Sequence, residues 1–153
     1  MIQEVTYGSE LYKSCLMFRD IHLRRPIGRT LSASDVEGES AQWHFAAVKD
    51  GDVIGTVVLK PVSGGAVKLR QMAVDPSARG HGLGRELVQF VEAVALSRGF
   101  GEIEMMARVS AVGFYRKLGY GTLGDDFTEV GIPHLKMAKT LSARPTSKPG
   151  ASR

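Results

Sequence analysis

At 153 residues and 43% apolar content the chain is the length of one domain and long enough to bury a core. The net charge of +4 gathers at the end, where Arg144, Lys148 and Arg153 follow Leu141 without an acid; the remaining 17 basic and 16 acidic residues nearly cancel, so no nucleic-acid-binding face is expected. A lone cysteine, Cys15, excludes an internal disulfide, and with no apolar run of membrane length and no signal-peptide start the expectation is a cytoplasmic protein, off the membrane.

In chain order, residues 2–6 read as a short first strand and residues 10–23 as an amphipathic helix with Leu11, Leu16, Phe18 and Ile21 on its apolar side. Residues 24–42 are long, mixed in charge and without pattern, with Arg24, Arg25 and Arg29 ahead of Asp35, Glu37 and Glu39. A segment of that kind is a binding element or a solvated loop. Residues 42–48 and 53–60 are predicted strands joined through Asp50-Gly51, a strong hairpin signal. Ser63-Gly64-Gly65 turns the chain into another strand that ends at Val74. Then follow a helix stopped by Gly99, a strand at 102–107, a helix at 111–118, and strands near 120–123 and 134–139. Residues 141–153, rich in Ser, Pro and Gly, read as a disordered tail to a single domain at 1–140.

The segment QMAVDPSARGHGLG, residues 71–84, carries the strongest functional signal. A strand stops at Asp75-Pro76, and Gly80, Gly82 and Gly84 then let the backbone bring several free N–H groups close to one ligand. In the helix that follows, Leu83, Leu87, Phe90, Val91 and Val94 share a face, while Arg85, Glu86, Gln89 and Glu92 lie away from it. Its N-terminus would present unpaired amides and the positive end of the helix dipole to a phosphate. A plain strand-to-helix turn would use the same residues. Two other glycine loops do not fit: the Gly-Lys-Ser/Thr ending of a P-loop is missing, and the order R-G-x-G-x-G, after a strand read as antiparallel to its neighbours, differs from the dinucleotide fingerprint.

The pattern Arg79-x-x-Gly82-x-Gly84 after Met72-Ala73-Val74 resembles the signature of the GNAT acetyltransferase superfamily. The stretch ARVSAVGFYRKLGY, with Arg108, Ala111, Phe114, Tyr115 and Gly119-Tyr120, resembles the second signature of that superfamily. Two motifs in the right order are more specific than either one. The ending Phe127-x-Glu129-x-Gly131-Ile132-Pro133-His134-x-x-Met137 is similar to a subgroup of small bacterial members, the YjcF-like proteins. The resemblance implies an α/β GNAT fold, a mixed central sheet with helices on both faces. It also implies transfer of an acetyl group from acetyl-CoA to an amine of a small molecule or a protein, in a family where homodimers are common.

Such a reaction needs a polarised thioester carbonyl, a neutral amine and a proton for the departing thiolate. By resemblance, the main chain of Met72, Ala73 and Val74 holds the pantetheine arm, and Arg79, Gly80, His81, Gly82, Leu83, Gly84 and Arg85 hold the pyrophosphate. Tyr115 is implied as the proton donor, although its spacing with Ala111, Phe114 and Leu118 equally suits a core aromatic. Arg108 stands where many members carry asparagine, and would reach a CoA phosphate or an anionic group of the acceptor. Glu129 and His134 are candidate bases, with His44 and Glu104 in reserve; each also suits a structural polar role. Four scattered histidines and one cysteine have no metal-site spacing, so no metal is expected. A CoA-binding regulatory module without turnover is the alternative reading.

Overall fold

A computed structural model of the chain describes residues 1–129 and 131–142. A seven-stranded sheet in the order β1-β2-β3-β4-β5-β7-β6 forms its centre. The strands are β1 (Ile2–Val5), β2 (Trp43–Lys49), β3 (Asp52–Pro61), β4 (Ala66–Val74), β5 (Glu102–Arg108), β6 (Gly121–Glu129) and β7 (Ile132–Thr140). Helix α1 (Glu10–Arg19) covers one face; α2 (Leu83–Ser97) and α3 (Val112–Lys117) cover the other. This is the mixed single-domain α/β architecture that the resemblance implied.

Val57, Leu59, Val67, Leu69, Ile103 and Met105 point from the three central strands into one core with Leu87, Val88 and Val91 of α2. Leu87 and Val91 are completely buried, and truncating such a leucine to alanine costs about 2–5 kcal/mol. The opposite side chains of the same strands, among them Lys68, Arg70, Met106 and Arg108, face the α1 side, as the period of two requires. Asp50 and Gly51, at φ 53° and 82°, make the left-handed two-residue turn that the β2–β3 hairpin needs.

Two sequence expectations require correction here. Strand β4 is antiparallel to β3 but parallel to β5, because the chain crosses over through α2 before it returns as β5. The first helix stops being regular at Arg19 rather than continuing to 23: residues 20–24 form a wide π turn and Arg25–Ile27 a 3₁₀ turn. Pro26 explains this: it has no N–H to bond a carbonyl of the preceding turn, so the regular helical ladder cannot continue through it. Glu92, off the apolar face of α2 as expected, accepts from Tyr120 Oη at 2.8 Å and Lys139 Nζ at 3.1 Å, and so ties α2 to the segment after α3 and to β7.

Strand β6 is also longer than expected and runs to Glu129, past an irregular register between Leu123 and Phe127. Leu141 buries its side chain and donates its N–H to Gly101 O at 2.8 Å, so the folded body reaches past residue 140. The rest of the expected tail, from residue 143, lies outside the described residues. Among the described residues no helix is long and apolar enough to cross a membrane.

The feature that positions the site is the parting of β4 from β5. They pair only from Ala66↔Glu102 to Leu69↔Met105, whereas β4 stays paired with β3 up to Val74 and β5 stays paired with β7 up to Arg108. At the parting, Gln71 and Met72 together oppose Val57 across β3, a bulge in which Gln71 takes φ 53°. A bulge adds twist and turns the strand away from its neighbour. The last residues of β4 and of β5 thus face one another without a strand between them.

Candidate active site

A cavity of about 1110 Å³ opens in this gap. Every candidate named for cofactor or catalysis lines it: Met72, Ala73 and Val74 from β4, residues 79–85 from the glycine loop and start of α2, Arg108 from β5, Tyr115 from α3, and Glu129 and His134 from β6 and β7. The reserves His44 and Glu104 do not. His44 is buried away from the gap, where its Nε2 donates to Glu39 O at 2.8 Å and burial holds its pKa below the ordinary histidine range.

The glycine loop is built for close backbone approach. Asp75 accepts from Ser77 N at 2.9 Å and Ser77 Oγ at 2.7 Å, which folds Pro76–Ala78 into a short turn after β4. Gly80 and Gly82 then take φ of 83° and 80°, values that favour glycine. The first helical bond of α2 runs from Glu86 N to Gly82 O, and among the described residues the N–H groups of residues 80–85 find no acceptor. A Cβ built on Gly84 would lie 3.1 Å from Phe114 Cζ and 3.8 Å from Met72 Cε, so this glycine keeps open the space between α2, α3 and β4. Arg79, His81 and Arg85 are solvent-exposed around the loop.

Tyr115 reaches the gap from the α2 face, in edge contact with Phe114 and Tyr120 at centroid distances of 5.0 and 5.9 Å. It is both packed in the core and at the cavity wall. Burial pushes its phenol well above the ordinary tyrosine range, and it stays protonated at neutral pH. His134 reaches the gap from the α1 face and is buried, its ring stacked 6.0 Å from Phe127. Its Nδ1 lies 2.8 Å from Ile132 O. A carbonyl only accepts, so Nδ1 carries the proton and the neutral ring keeps its lone pair on Nε2. Glu129 is exposed at the end of β6 on the same face.

The α1 face of the cavity also holds groups that sequence reasoning did not name as site residues. Arg24 donates to Asp35 at 2.9 and 3.3 Å, and both line the wall beside Ser34. Burial disfavours the Asp35 carboxylate, but hydrogen bonds from Arg24 and Ser32 outweigh it and hold the pKa at about 2. Behind this pair Glu39, fully buried, accepts from Tyr12 Oη at 2.7 Å, Arg19 at 2.7 and 2.9 Å and Arg70 at 3.1 Å. Segment 24–42 is therefore pinned to α1 and β4 by ion pairs, and Asp35 and Glu39 are not the solvated charges its lack of pattern suggested. Lys68 and Arg70 had a legible signal: charges alternate with Val67 and Leu69 in a strand flanked by core strands. Among the described residues no group of three or more His, Cys, Asp or Glu side chains is placed to hold a metal.

Comparison with known proteins agrees with this architecture. The family model described as "Acetyltransferase (GNAT) family" matches residues 8–120. The protein YyaT of Bacillus subtilis is 31% identical over 99 residues, covering 65% of this chain and 66% of that one. The protein described as "Uncharacterized N-acetyltransferase YjcF" of the same organism is 37% identical over 73 residues, covering 47% of this chain and 52% of that one. The chain thus spans under two thirds of the length of these curated relatives. The structure of an aminoglycoside 6'-N-acetyltransferase complexed with coenzyme A superposes with TM-score 0.75 at 22% identity, covering 95% of this chain and 99% of that one. The family match takes in most of the sheet and both signature segments, and the chain belongs to the GNAT acetyltransferase family.

Proposed function

We propose that the protein transfers an acetyl group from acetyl-CoA to a primary amine of a small molecule or protein. The observation that carries this reading is the parting of β4 from β5 beside a loop whose N–H groups at residues 80–85 find no acceptor among the described residues. An extended, amide-bearing arm ending in phosphates fits such a site. The main chain of Met72, Ala73 and Val74 would hold the amides of such an arm where a neighbouring strand is missing, and the loop and the dipole of α2 would hold its phosphates. The aminoglycoside acetyltransferase with the same fold is itself a coenzyme A complex.

When bound, acetyl-CoA supplies an activated acetyl thioester. The chain's own residues then have three tasks. His134 Nε2, unprotonated in the tautomer that Ile132 O selects, takes a proton from the ammonium or the attacking amine, and Glu129 at the rim assists directly or through water. The main chain of β4 fixes the carbonyl's position. Tyr115 Oη donates to the departing sulfur. An ordinary thiol has a pKa of about 8.5, below that of a phenol, and burial disfavours thiolate and phenolate alike, so the tyrosine acts mainly as a hydrogen-bond donor that completes proton transfer late.

The deciding experiment is calorimetric titration with acetyl-CoA of the wild type and of a Gly82→Val, Gly84→Val variant, each checked for folding by circular dichroism. Wild-type binding that the variant loses supports the reading, and thiol release in an amine screen then separates a transferase from a CoA-binding module. Folded wild-type protein without affinity for acetyl-CoA would overturn it.

A further inference from the structure

The cavity wall carries more positive charge than its acids balance. Of its cations, Arg79 and Arg85 stand at the glycine loop, Arg24 is paired with Asp35, and Arg70 with Glu39 and Gln42. Lys68 and Arg108 have no acid within ion-pair distance among the described residues. Arg108 is the sharper case. Half-buried, it donates one hydrogen bond among the described residues, from Nη2 to Leu23 O at 3.0 Å, which fixes its guanidinium against the segment after α1 and leaves the other donors for the cavity. Burial and the nearby Arg24 charge both work against its cation, so the free site holds an uncompensated charge.

Its place relative to the chemistry is informative. Arg108 and His134 are directly opposed across β5 and β7, and share the α1 face with Glu129. Directly opposed residues carry their Cβ atoms about 4.5–5.5 Å apart. A group bound by the guanidinium therefore lies only a few bonds from an amine within reach of His134. The glycine loop and α2, where a pyrophosphate is expected, approach the gap from the opposite face.

We propose that Arg108 forms a carboxylate subsite and that the acceptor is a small amino acid or similar amine bearing an acid group close to its nitrogen. This rests on the transferase reading and narrows it. Arg108 presents a planar fork suited to two carboxylate oxygens, Lys68 adds positive potential from β4, and the Arg24–Asp35 pair closes the wall behind. Simple monoamines and diamines leave the Arg108 charge unpaired, and a diamine adds repulsion.

The test titrates CoA-saturated protein by calorimetry with α- and ω-amino acids, and in parallel with the decarboxylated amine matched to each. Charge-assisted hydrogen bonds of this kind give a preference of roughly 10- to 100-fold for the acid-bearing member of the preferred pair. Arg108→Gln is expected to erase the preference and Arg108→Lys to keep part of it, both with CoA affinity within about twofold of wild type, the spread expected of a residue off the cofactor. Equal or tighter binding of the matched amines, no binding of any acid, or a loss of CoA affinity in Arg108→Gln with the acid preference intact would overturn the subsite. Should wild-type protein fail to bind CoA, the transferase reading falls separately, and the same titrations without CoA decide the subsite on the same criteria.

Discussion

Glu39→Gln tests whether the ion cluster under segment 24–42 holds the acceptor side of the site together. The Glu39 side chain is fully buried and that of Arg19 is 1% exposed, while Arg70 is 17% exposed. Glutamine keeps the volume but removes the charge, and turns an NH₂ group toward donors that now need an acceptor. Arg19 is then a buried cation without a counter-charge, its Nε already lacking a partner among the described residues. Breaking a buried pair in this way costs about 3–5 kcal/mol. For a domain of this size each kcal/mol lowers Tm by about 2–4 °C, so a drop of roughly 6–20 °C is expected in a thermal melt. Arg70 also donates to Gln42 Oε1 at 2.6 Å and Asp35 O at 3.0 Å and retains those bonds, so the double variant Arg19→Met, Glu39→Gln should recover more than half of the loss. A drop in Tm below about 2 °C for the single variant, or strictly additive losses in the double one, would refute the argument that charge pairing rather than packing holds this segment.

Tyr115→Phe is expected to lower kcat by roughly 10²-fold while acetyl-CoA affinity stays within a factor of about two; unchanged kcat would remove its role as donor. His134→Gln and Glu129→Gln identify the base in steady-state assays, and His134→Gln should cost about 10²-fold in kcat against less than about tenfold for exposed Glu129; the reverse order would transfer the role to the carboxylate. Stability should fall on acidification, because burial depresses the His44 pKa and hydrogen bonds hold Glu39 and Asp35 below their ordinary values. The unfolded chain takes up protons first, so their contribution is complete above about pH 6.5, the His44 share is lost below it, and Asp35 alone removes about 2 kcal/mol between its ordinary value of 3.8 and about 2. Urea titrations with a constant midpoint from pH 7 to 4 would contradict this. Buried Cys15, its pKa pushed up to about 11, should react with a thiol reagent only after denaturation, leaving a thiol-release assay clear of background.

The sequence exposed one half of the site more fully than the other, and the reason is locality. The glycine loop, the α2 face and the hairpin at Asp50-Gly51 are set by neighbours a few positions apart, where periodicity and turn chemistry act directly. The α1 side is assembled across long separations: Arg70 reaches Asp35 and Glu39 over 35 and 31 positions, and Arg108 reaches Leu23 over 85. No local pattern marks such pairs. Segment 24–42 therefore looked formless although its turns are held by side chains from α1 and β4. The orientation of β4 failed for a related cause, since strand direction depends on which later strand comes to lie beside it, and that is decided by the crossover through α2.

The parting of the strands explains why these halves are so different. Where β4 leaves β5, the sheet ceases to separate its two faces, and groups from both meet in one cavity. The α2 face brings backbone amides and Tyr115, features that the signature motifs carry and that suit a cosubstrate common to the family. The α1 face brings side-chain charge, with Arg108 and His134 opposed across β5 and β7, and segment 24–42 as its wall. On the proposed reading, changes on this second face alter which amine fits without touching the amide cradle on the first. Acceptor choice is then set by a few side chains on β5, β7 and the wall segment, where the Arg108 charge favours an acid.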